Sequence, residues 1–180
     1  VARSGYASLI GDLLAILANP AEGPRFRAFC VQHLWENYAK TDAKRQAELD
    51  GVFRERLGDP DVEVRREALL ALVRLGKPEG QQTAEKWLTD PATADVRDLA
   101  IHCLALLDRR ERIPDIRRCL DDPNEVVQIA AIVVLSTWGD TASRPAFEKA
   151  AAQSQRLRLQ RAAQAALRRL DPPPAGPAGR

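Results

Sequence analysis

One apolar pattern recurs along this chain at intervals of about 31 to 32 residues. In the segment 57–76, apolar side chains are spaced three or four positions apart, which places them on one face of a helix with 3.6 residues per turn. They are Val64, Ala68, Ala71, Leu72 and Leu75. The same pattern returns in residues 96–107, 127–138 and 159–170, and more weakly in 26–37. A single helix cannot bury such a stripe alone, so recurrence at this period predicts an array of stacked helical repeats.

Residue types that favour a helix start occupy one position ahead of each stripe. They are Gly23 (followed by Pro24), Asp61, Thr93 and Asn124, whereas the last copy breaks this pattern with Arg156. We therefore expect the side chains of Asp61 and Thr93 to accept backbone N–H bonds. Gly76 follows the stripe of 57–76 and is expected to end that helix in the left-handed conformation.

Short connections between the helical segments predict antiparallel neighbours. The chain should therefore be all-α, a solenoid of about five antiparallel two-helix units with outer and inner helix layers. The units are expected at about residues 6–40, 41–77, 78–108, 109–140 and 141–171. Residues 1–7 are expected to be irregular, so that the first helix starts at Ser8, and the Pro- and Gly-rich residues 172–180 are expected to form a disordered tail or linker.

Three segments carry a resemblance to a known family. They are DPDVEVRREALLALVRLG (59–76), DPATADVRDLAIHCLALL (90–107) and DPNEVVQIAAIVVLSTWG (122–139). These segments resemble HEAT-type repeats, especially the short bacterial form that also occurs in phycobilisome lyases, and the resemblance covers roughly residues 17–171. It implies a right-handed helical solenoid and, most often, a protein-binding scaffold. Such a motif specifies architecture rather than activity.

Composition excludes few classes of function. The aromatic share of 5% argues against an aromatic-rich pocket, and the net charge of +2 does not by itself favour nucleic acid or a membrane surface. The sequence contains no run of about 18 apolar residues, the length that would suggest a membrane span. Three cysteines without paired spacing, Cys30, Cys103 and Cys119, are interpreted as small buried residues, which weakly favours a reducing, cytoplasmic location. The sequence contains no Met, so we expect its natural start to lie elsewhere.

Two patterns invite a binding site, and each has a structural explanation. Asp59 with Arg65, and Asp90 with Arg97, could hold phosphate, but we expect the aspartates to fix turns and the arginines to tie neighbouring repeats together. His33 and His102 lie near Cys30 and Cys103, yet the two groups belong to units two repeats apart and lack the close ligand pairs of tetrahedral metal sites. The sequence therefore predicts no metal and no cofactor.

The preferred hypothesis is a non-catalytic scaffold that presents a concave inner-helix surface to a protein or peptide. Inner-helix positions equivalent to Arg66 and Val73 are expected to be exposed. The candidate contact residues are Trp35, Arg66, Val73, Asp98, Arg161 and Arg168. Trp35 is the strongest candidate, because an exposed tryptophan is a frequent binding anchor.

Two alternatives stay open. The last helix is rich in arginine and could bind nucleic acid or another polyanion, although a polar cap on the final repeat explains the same residues. These arginines are Arg156, Arg158, Arg161, Arg168 and Arg169. HEAT-like alkylpurine DNA glycosylases use an aspartate beside tryptophans. In this chain, Asp98 and Trp35 come nearest to that arrangement. The aromatic cluster that such an enzyme requires is not evident, so no catalytic residue is predicted.

Overall fold

A computed structural model describes residues 2–153 and 155–171, with side chains from Ser8 onward except that of Gln153. Within these residues there is no strand, and ten α-helices follow one another along the chain. They are α1 (Ala2–Ala18), α2 (Pro24–Glu36), α3 (Ala43–Arg56), α4 (Val62–Arg74), α5 (Pro78–Thr89), α6 (Arg97–Leu106), α7 (Ile113–Arg118), α8 (Glu125–Thr137), α9 (Arg144–Gln153) and α10 (Leu157–Leu170). The predicted all-α repeat fold is confirmed.

The chain divides into two compact units, Val1–Lys86 and Trp87–Arg180, which we call unit 1 and unit 2. In unit 1, α1 packs on α2 and α3 packs on α4, so that each pair buries a shared stripe. The even-numbered helices α2 and α4 also pack on each other. Fully buried Leu34, Phe53 and Leu72 lie in the core that these contacts enclose.

Unit 2 repeats this arrangement with its own helices. The even-numbered helices α6, α8 and α10 pack in sequence, α6 on α8 and α8 on α10, while α7 packs on α8 and α9 on α10. Ile101, Leu135 and Phe147 are fully buried in this unit. In both units the second helix of one pair therefore stacks on the second helix of the next, as the apolar stripe requires. The five unit boundaries given by the sequence, including the start of the first at about residue 6, stay a prediction.

Several helix ends differ from the expected ones. Helix α1 begins at Ala2 rather than Ser8. Asp61 stands at the start of α4, but its carboxylate makes no cap bond there and instead accepts a 2.8 Å hydrogen bond from Arg27 Nη1. Thr93 does not start α6, because Pro91–Val96 forms a 3-10 turn in which Thr93 has φ −115° and ψ 28°, and α6 begins at Arg97.

Other local expectations are confirmed. The Asn124 side chain accepts a 2.9 Å bond from the Val126 backbone N–H at the start of α8. Pro24 opens α2 after Gly23. Gly76 has φ +66°, in the left-handed region that glycine adopts at low cost, directly after α4. The predicted tail 172–180 lies outside the described residues.

The aspartates fix turns as expected, but of the two arginines only Arg97 ties neighbouring repeats together. Arg65 Nη1 instead donates 3.0 Å hydrogen bonds to the backbone oxygens of Asp59 and Pro60, in the turn before its own helix. Asp59, Asp90 and Asp122 each accept a hydrogen bond from the backbone N–H two residues further on, which fixes the turn. Arg27 in α2 pairs with Asp59 before α4, and Arg97 in α6 pairs with Asp122 before α8. Arg27 and Arg97 therefore each join one helix pair to the turn that opens the next second helix.

Candidate functional site

The predicted contact residues do not all lie on the surface. Val73 and Asp98 are only 6% and 9% exposed, so the expectation that their side chains are free is wrong. Trp35 and Arg66 are half-buried, and Arg161 and Arg168 on α10 are exposed. Asp98 also lacks the exposure that a catalytic acid on an open helix face would need. We therefore keep neither Val73 nor Asp98 as a contact residue.

The reason for the error is the direction in which this register points. Trp35 of α2 lies against the next second helix, α4, where the Arg74 guanidinium sits 5.2 Å from the centre of its ring system. In unit 2, Ser136 of α8 accepts a 2.7 Å hydrogen bond from Arg169 Nη1 of α10. Within each unit, the positions equivalent to Trp35 and Ser136 therefore form the flank that a second helix turns toward the next second helix of the same unit. Arg161 and Arg168 occupy this flank on α10, the last helix of the described chain.

The surroundings of Trp35 are electrostatically unusual. Burial raises the pKa of the Glu67 carboxyl group, and the Trp35 indole N–H and the guanidinium groups of Arg66 and Arg74 offset part of this rise. The indole nitrogen is shielded from solvent and makes no hydrogen bond of ordinary length to the described part of the chain. Trp35 is thus a packing residue between α2 and α4 rather than a free anchor.

A different register of the second helices carries a mixture of exposed and half-buried side chains, and we call it the free face. In α4 it contains Glu63, Glu67, Leu70 and Arg74, which lie three or four residues apart. The equivalent positions in unit 2 lie on α6, α8 and α10, and both α6 and α10 pack on α8. They are His102 and Leu106 on α6, Val126, Val133 and Thr137 on α8, and Arg158, Ala162, Ala165 and Arg169 on α10.

In unit 2 the free face is apolar at its centre. Leu106, Val126 and Val133 are 61%, 46% and 38% exposed. Helix α8, with the sequence EVVQIAAIVVLST, contains no charged residue after Glu125. A helix that is apolar on every side is ordinarily buried on every side, yet α8 leaves one side open. We call Val126, Val133 and Thr137 the α8 column.

The sequence alone contained a signal for this column. The repeat stripe accounts for Val127, Ala131, Val134 and Leu135, but α8 adds valines at positions where α4 has Glu63 and Leu70. Counting apolar residues beyond the stripe would have identified Val126 and Val133. The prediction missed them because it placed the exposed register about 60° away around the helix.

The edge of this face on α10 is basic. Helix α10 contains four arginines and no acidic residue. Arg158, Arg161 and Arg168 are exposed and have no ion-pair partner among the described residues, and Arg169 bonds the Ser136 hydroxyl. Elsewhere in unit 2, Arg97, Arg117 and Arg144 are paired with aspartates.

Unit 1 exposes an aromatic pair on α2. The rings of Phe26 and Phe29 are stacked with centroids 6.3 Å apart, and the His33 ring meets Phe29 edge-on at 4.0 Å. His33 Nδ1 lies 3.3 Å from a Glu36 carboxylate oxygen. The exposed side of α2 therefore mixes aromatic and charged side chains.

The chain offers little support for small-molecule or metal chemistry. A cavity of about 210 Å³ in unit 2 is lined by Arg97, Asp115, Arg118, Cys119 and Asp122 among others, but its arginines are paired with its own aspartates. Burial raises the pKa of the Cys119 thiol to about 11, which keeps it protonated and unreactive at neutral pH. In the described ranges, no three His, Cys, Asp or Glu side chains come together as metal ligands.

The geometry defines an all-α protein of tandem helix pairs whose second helices stack on one another within each unit. The family of HEAT repeats matches residues 10–105 and, in a second match, residues 86–168. The chain belongs to this family, which confirms the resemblance of its repeat segments. A comparison with curated proteins finds no match. HEAT repeats are generally scaffolds for protein interactions. None of the described helices has the length and apolarity that crossing a membrane requires.

Proposed function

We propose that this chain is a non-catalytic protein-binding module and that unit 2 binds the partner through its free face. The α8 column carries the proposal, because Val126 and Val133 are exposed on a helix that has no charged residue after Glu125. Exposed apolar side chains that form a contiguous patch mark interaction surfaces. Leu106, on the helix α6 that packs on α8, is also exposed.

Site-specific photo-crosslinking tests this proposal. A benzophenone amino acid replaces Val133 in one variant and the exposed Lys149 of α9 in a control variant, and both are produced in living cells and irradiated. We expect discrete protein adducts at position 133 that are absent at position 149. Equal adducts at both positions, or none at position 133, would contradict the proposal.

A second candidate function is binding to a polyanion such as nucleic acid through α10. It is favoured by the exposed arginines Arg158, Arg161 and Arg168, which have no acidic partner in the described part of the chain. Filter binding of single-stranded and duplex DNA over a range of salt concentrations tests it, since phosphate contacts produce a steep loss of affinity with salt. No retention of DNA at low salt would end this alternative.

A further inference from the structure

We infer that the segment which binds the free face of unit 2 is an amphipathic helix with acidic side chains along one edge. This inference rests on the proposed function. It adds the shape of the partner, its charge and its orientation.

The α8 column sets the shape of the partner. Val126 and Val133 are separated by two helical turns, or roughly 10 Å along the axis. A partner helix can match this distance with apolar residues at positions i and i+7, and a third at i+3 or i+4 would lie between them. The complementary segment is therefore a helix of about three turns.

Small side chains leave room beside the column. Ala130 on α8 and Ala162 and Ala165 on α10 belong to the same register and are buried or half-buried. Packed helices lie about 8–10 Å apart, so a strip of alanines between two of them forms a shallow surface along which a third helix can lie. The side chains of Val126 and Val133 then reach the partner without obstruction from α10.

The charges of α10 decide the chemistry of the partner. Arg158 and Arg169 lie at the edge of the free face, where Arg158 has no ion-pair partner among the described residues and Arg169 bonds a hydroxyl group. Carboxylates bind guanidinium groups with two parallel hydrogen bonds, which adds specificity as well as energy. An acidic edge on the partner would satisfy both arginines.

The opposite edge favours one orientation. Asp95 precedes α6, and the two residues of α6 that belong to the free face, His102 and Leu106, place no arginine on this side. An acidic edge would meet guanidinium groups on the α10 side of the free face and none in this register on α6. The acidic side of the partner therefore faces α10, and its apolar side covers Val126, Val133 and Leu106.

Nucleic acid fits this surface less well. A phosphate backbone can bind the arginines, but it would leave the three exposed apolar side chains uncovered. An amphipathic acidic helix satisfies the arginines and covers the apolar column at once, so charge and hydropathy point to the same partner.

Selection from a phage-displayed library of random peptides, about 16 residues long, tests the inference on the whole chain. We expect the enriched peptides to carry Leu, Ile or Phe at helical spacing and Asp or Glu on one flank. Synthetic copies of the strongest peptides should lose affinity by about tenfold or more with Val133→Asp and with Arg158→Glu/Arg169→Glu.

The matched control is Arg161→Glu/Arg168→Glu, which changes the net charge by the same amount on the neighbouring flank of α10. It should reduce affinity by less than about threefold, because site-specific pairs and not overall charge carry the binding. Thermal unfolding of each variant checks the fold, and Arg158→Glu alone replaces the double variant if the loss of the Arg169–Ser136 bond unfolds it.

The outcomes distinguish failure of the inference about the partner helix from failure of the proposed protein-binding function. Enriched peptides that are basic or uncharged but depend on Val133 would overturn the inference and leave the proposed function standing. Absence of any peptide that depends on Val133 would overturn both. A 20-nucleotide DNA probe that depends on Arg158 and Arg169 but not on Val133, with no acidic peptide enriched, would overturn the inference in favour of nucleic acid.

Discussion

Asp59 shows how much of this fold depends on single buried charges. Its carboxylate pairs with Arg27, lies 3.4 Å from Arg56 Nη1 and accepts a 3.1 Å hydrogen bond from the Asp61 backbone N–H. The side chains of Asp59 and Arg27 are 0% and 7% exposed. Removing Asp59 would leave the buried Arg27 guanidinium with only the Asp61 carboxylate, which is 38% exposed, and would remove the bond that fixes the turn.

Asp59→Ala is therefore expected to lower the free energy of unfolding by about 1–3 kcal/mol, because Arg27 keeps its bond to Asp61. Urea unfolding, followed by circular dichroism, measures the change. The control is Asp121→Ala, an exposed aspartate in unit 2, for which a change within about 0.5 kcal/mol is expected. A loss below about 1 kcal/mol at Asp59 would show that Arg27 is satisfied without it.

Replacing Glu67 is expected to stabilise the folded state, whereas replacing Asp59 is expected to destabilise it. Burial raises the pKa of this carboxyl group above its ordinary value of 4.5, so folding favours the protonated form. The contribution of the protonated Glu67 carboxyl group to stability is complete below pH 4.5, and it is lost as the pH rises through the higher pKa of the folded state. At pH 7 the ionised side chain therefore costs stability.

Glu67→Gln should raise the Tm at pH 7, and the difference from the wild-type chain should disappear below about pH 4.5. Thermal unfolding across this pH range measures it, with the exposed Glu55→Gln as the control. A lower Tm at pH 7 would mean that the attraction of Arg66 and Arg74 outweighs the effect of burial.

At the level of elements, the close approach of α4 and α5 depends on Gly80. A Cβ atom at this position would lie 2.8 Å from the Val73 backbone nitrogen and 2.9 Å from the Leu72 carbonyl carbon. Both are backbone atoms, so neither can move aside as a flexible side chain could. The turn between the helices, which contains Gly76 and Lys77, is thereby held close to the start of α5.

Gly80→Ala should destabilise the chain by about 1–3 kcal/mol, because the two helices must separate to admit the methyl group. This effect opposes the usual gain from replacing a helical glycine with alanine. Gly51→Ala in α3, where nothing lies within 4 Å of the added Cβ, is the matched control and should be neutral or stabilising. Equal effects at the two positions would contradict the close approach described here.

The helices themselves could be predicted from the sequence, because a stripe such as Val64, Ala68, Leu72 leaves only one face to bury. Caps were harder. Asp61 has a residue type and position suited to capping, but Arg27, 34 residues away, takes its carboxylate. Only tertiary structure brings these two groups together, so no local rule could have predicted the bond.

The candidate site could be predicted only in part. A helical wheel separates the buried stripe from the rest, but it does not say which flank the next helix covers. Trp35 and Val73 share the flank that packs, whereas Leu70 and Arg74 lie on the free face. Arg161 and Arg168 are exposed on the packing flank of α10, the last described helix.

For the molecule as a whole, charge is distributed unevenly although the total is only +2. Residues 120–151 contain two basic and five acidic residues, while residues 152–180 contain six basic and one acidic residue. In unit 2 the acidic residues Asp122 and Asp140 are engaged by Arg97 and Arg117. The Arg117 guanidinium holds the pKa of Asp140 below its usual value, so this carboxylate stays ionised and paired at neutral pH. Arg158, Arg161 and Arg168 of α10 are exposed and have no ion-pair partner among the described residues, which leaves them available to a partner.

Affinity capture with three forms of the whole chain tests the central claim most directly. The wild-type chain, Val133→Asp and the surface control Lys149→Glu are immobilised at equal density, and the proteins captured from cells are quantified by mass spectrometry. We expect the proteins enriched by the wild-type chain to be retained by Lys149→Glu and lost from Val133→Asp. Retention of the same proteins by a folded Val133→Asp variant would contradict the assignment of the α8 column as the binding surface.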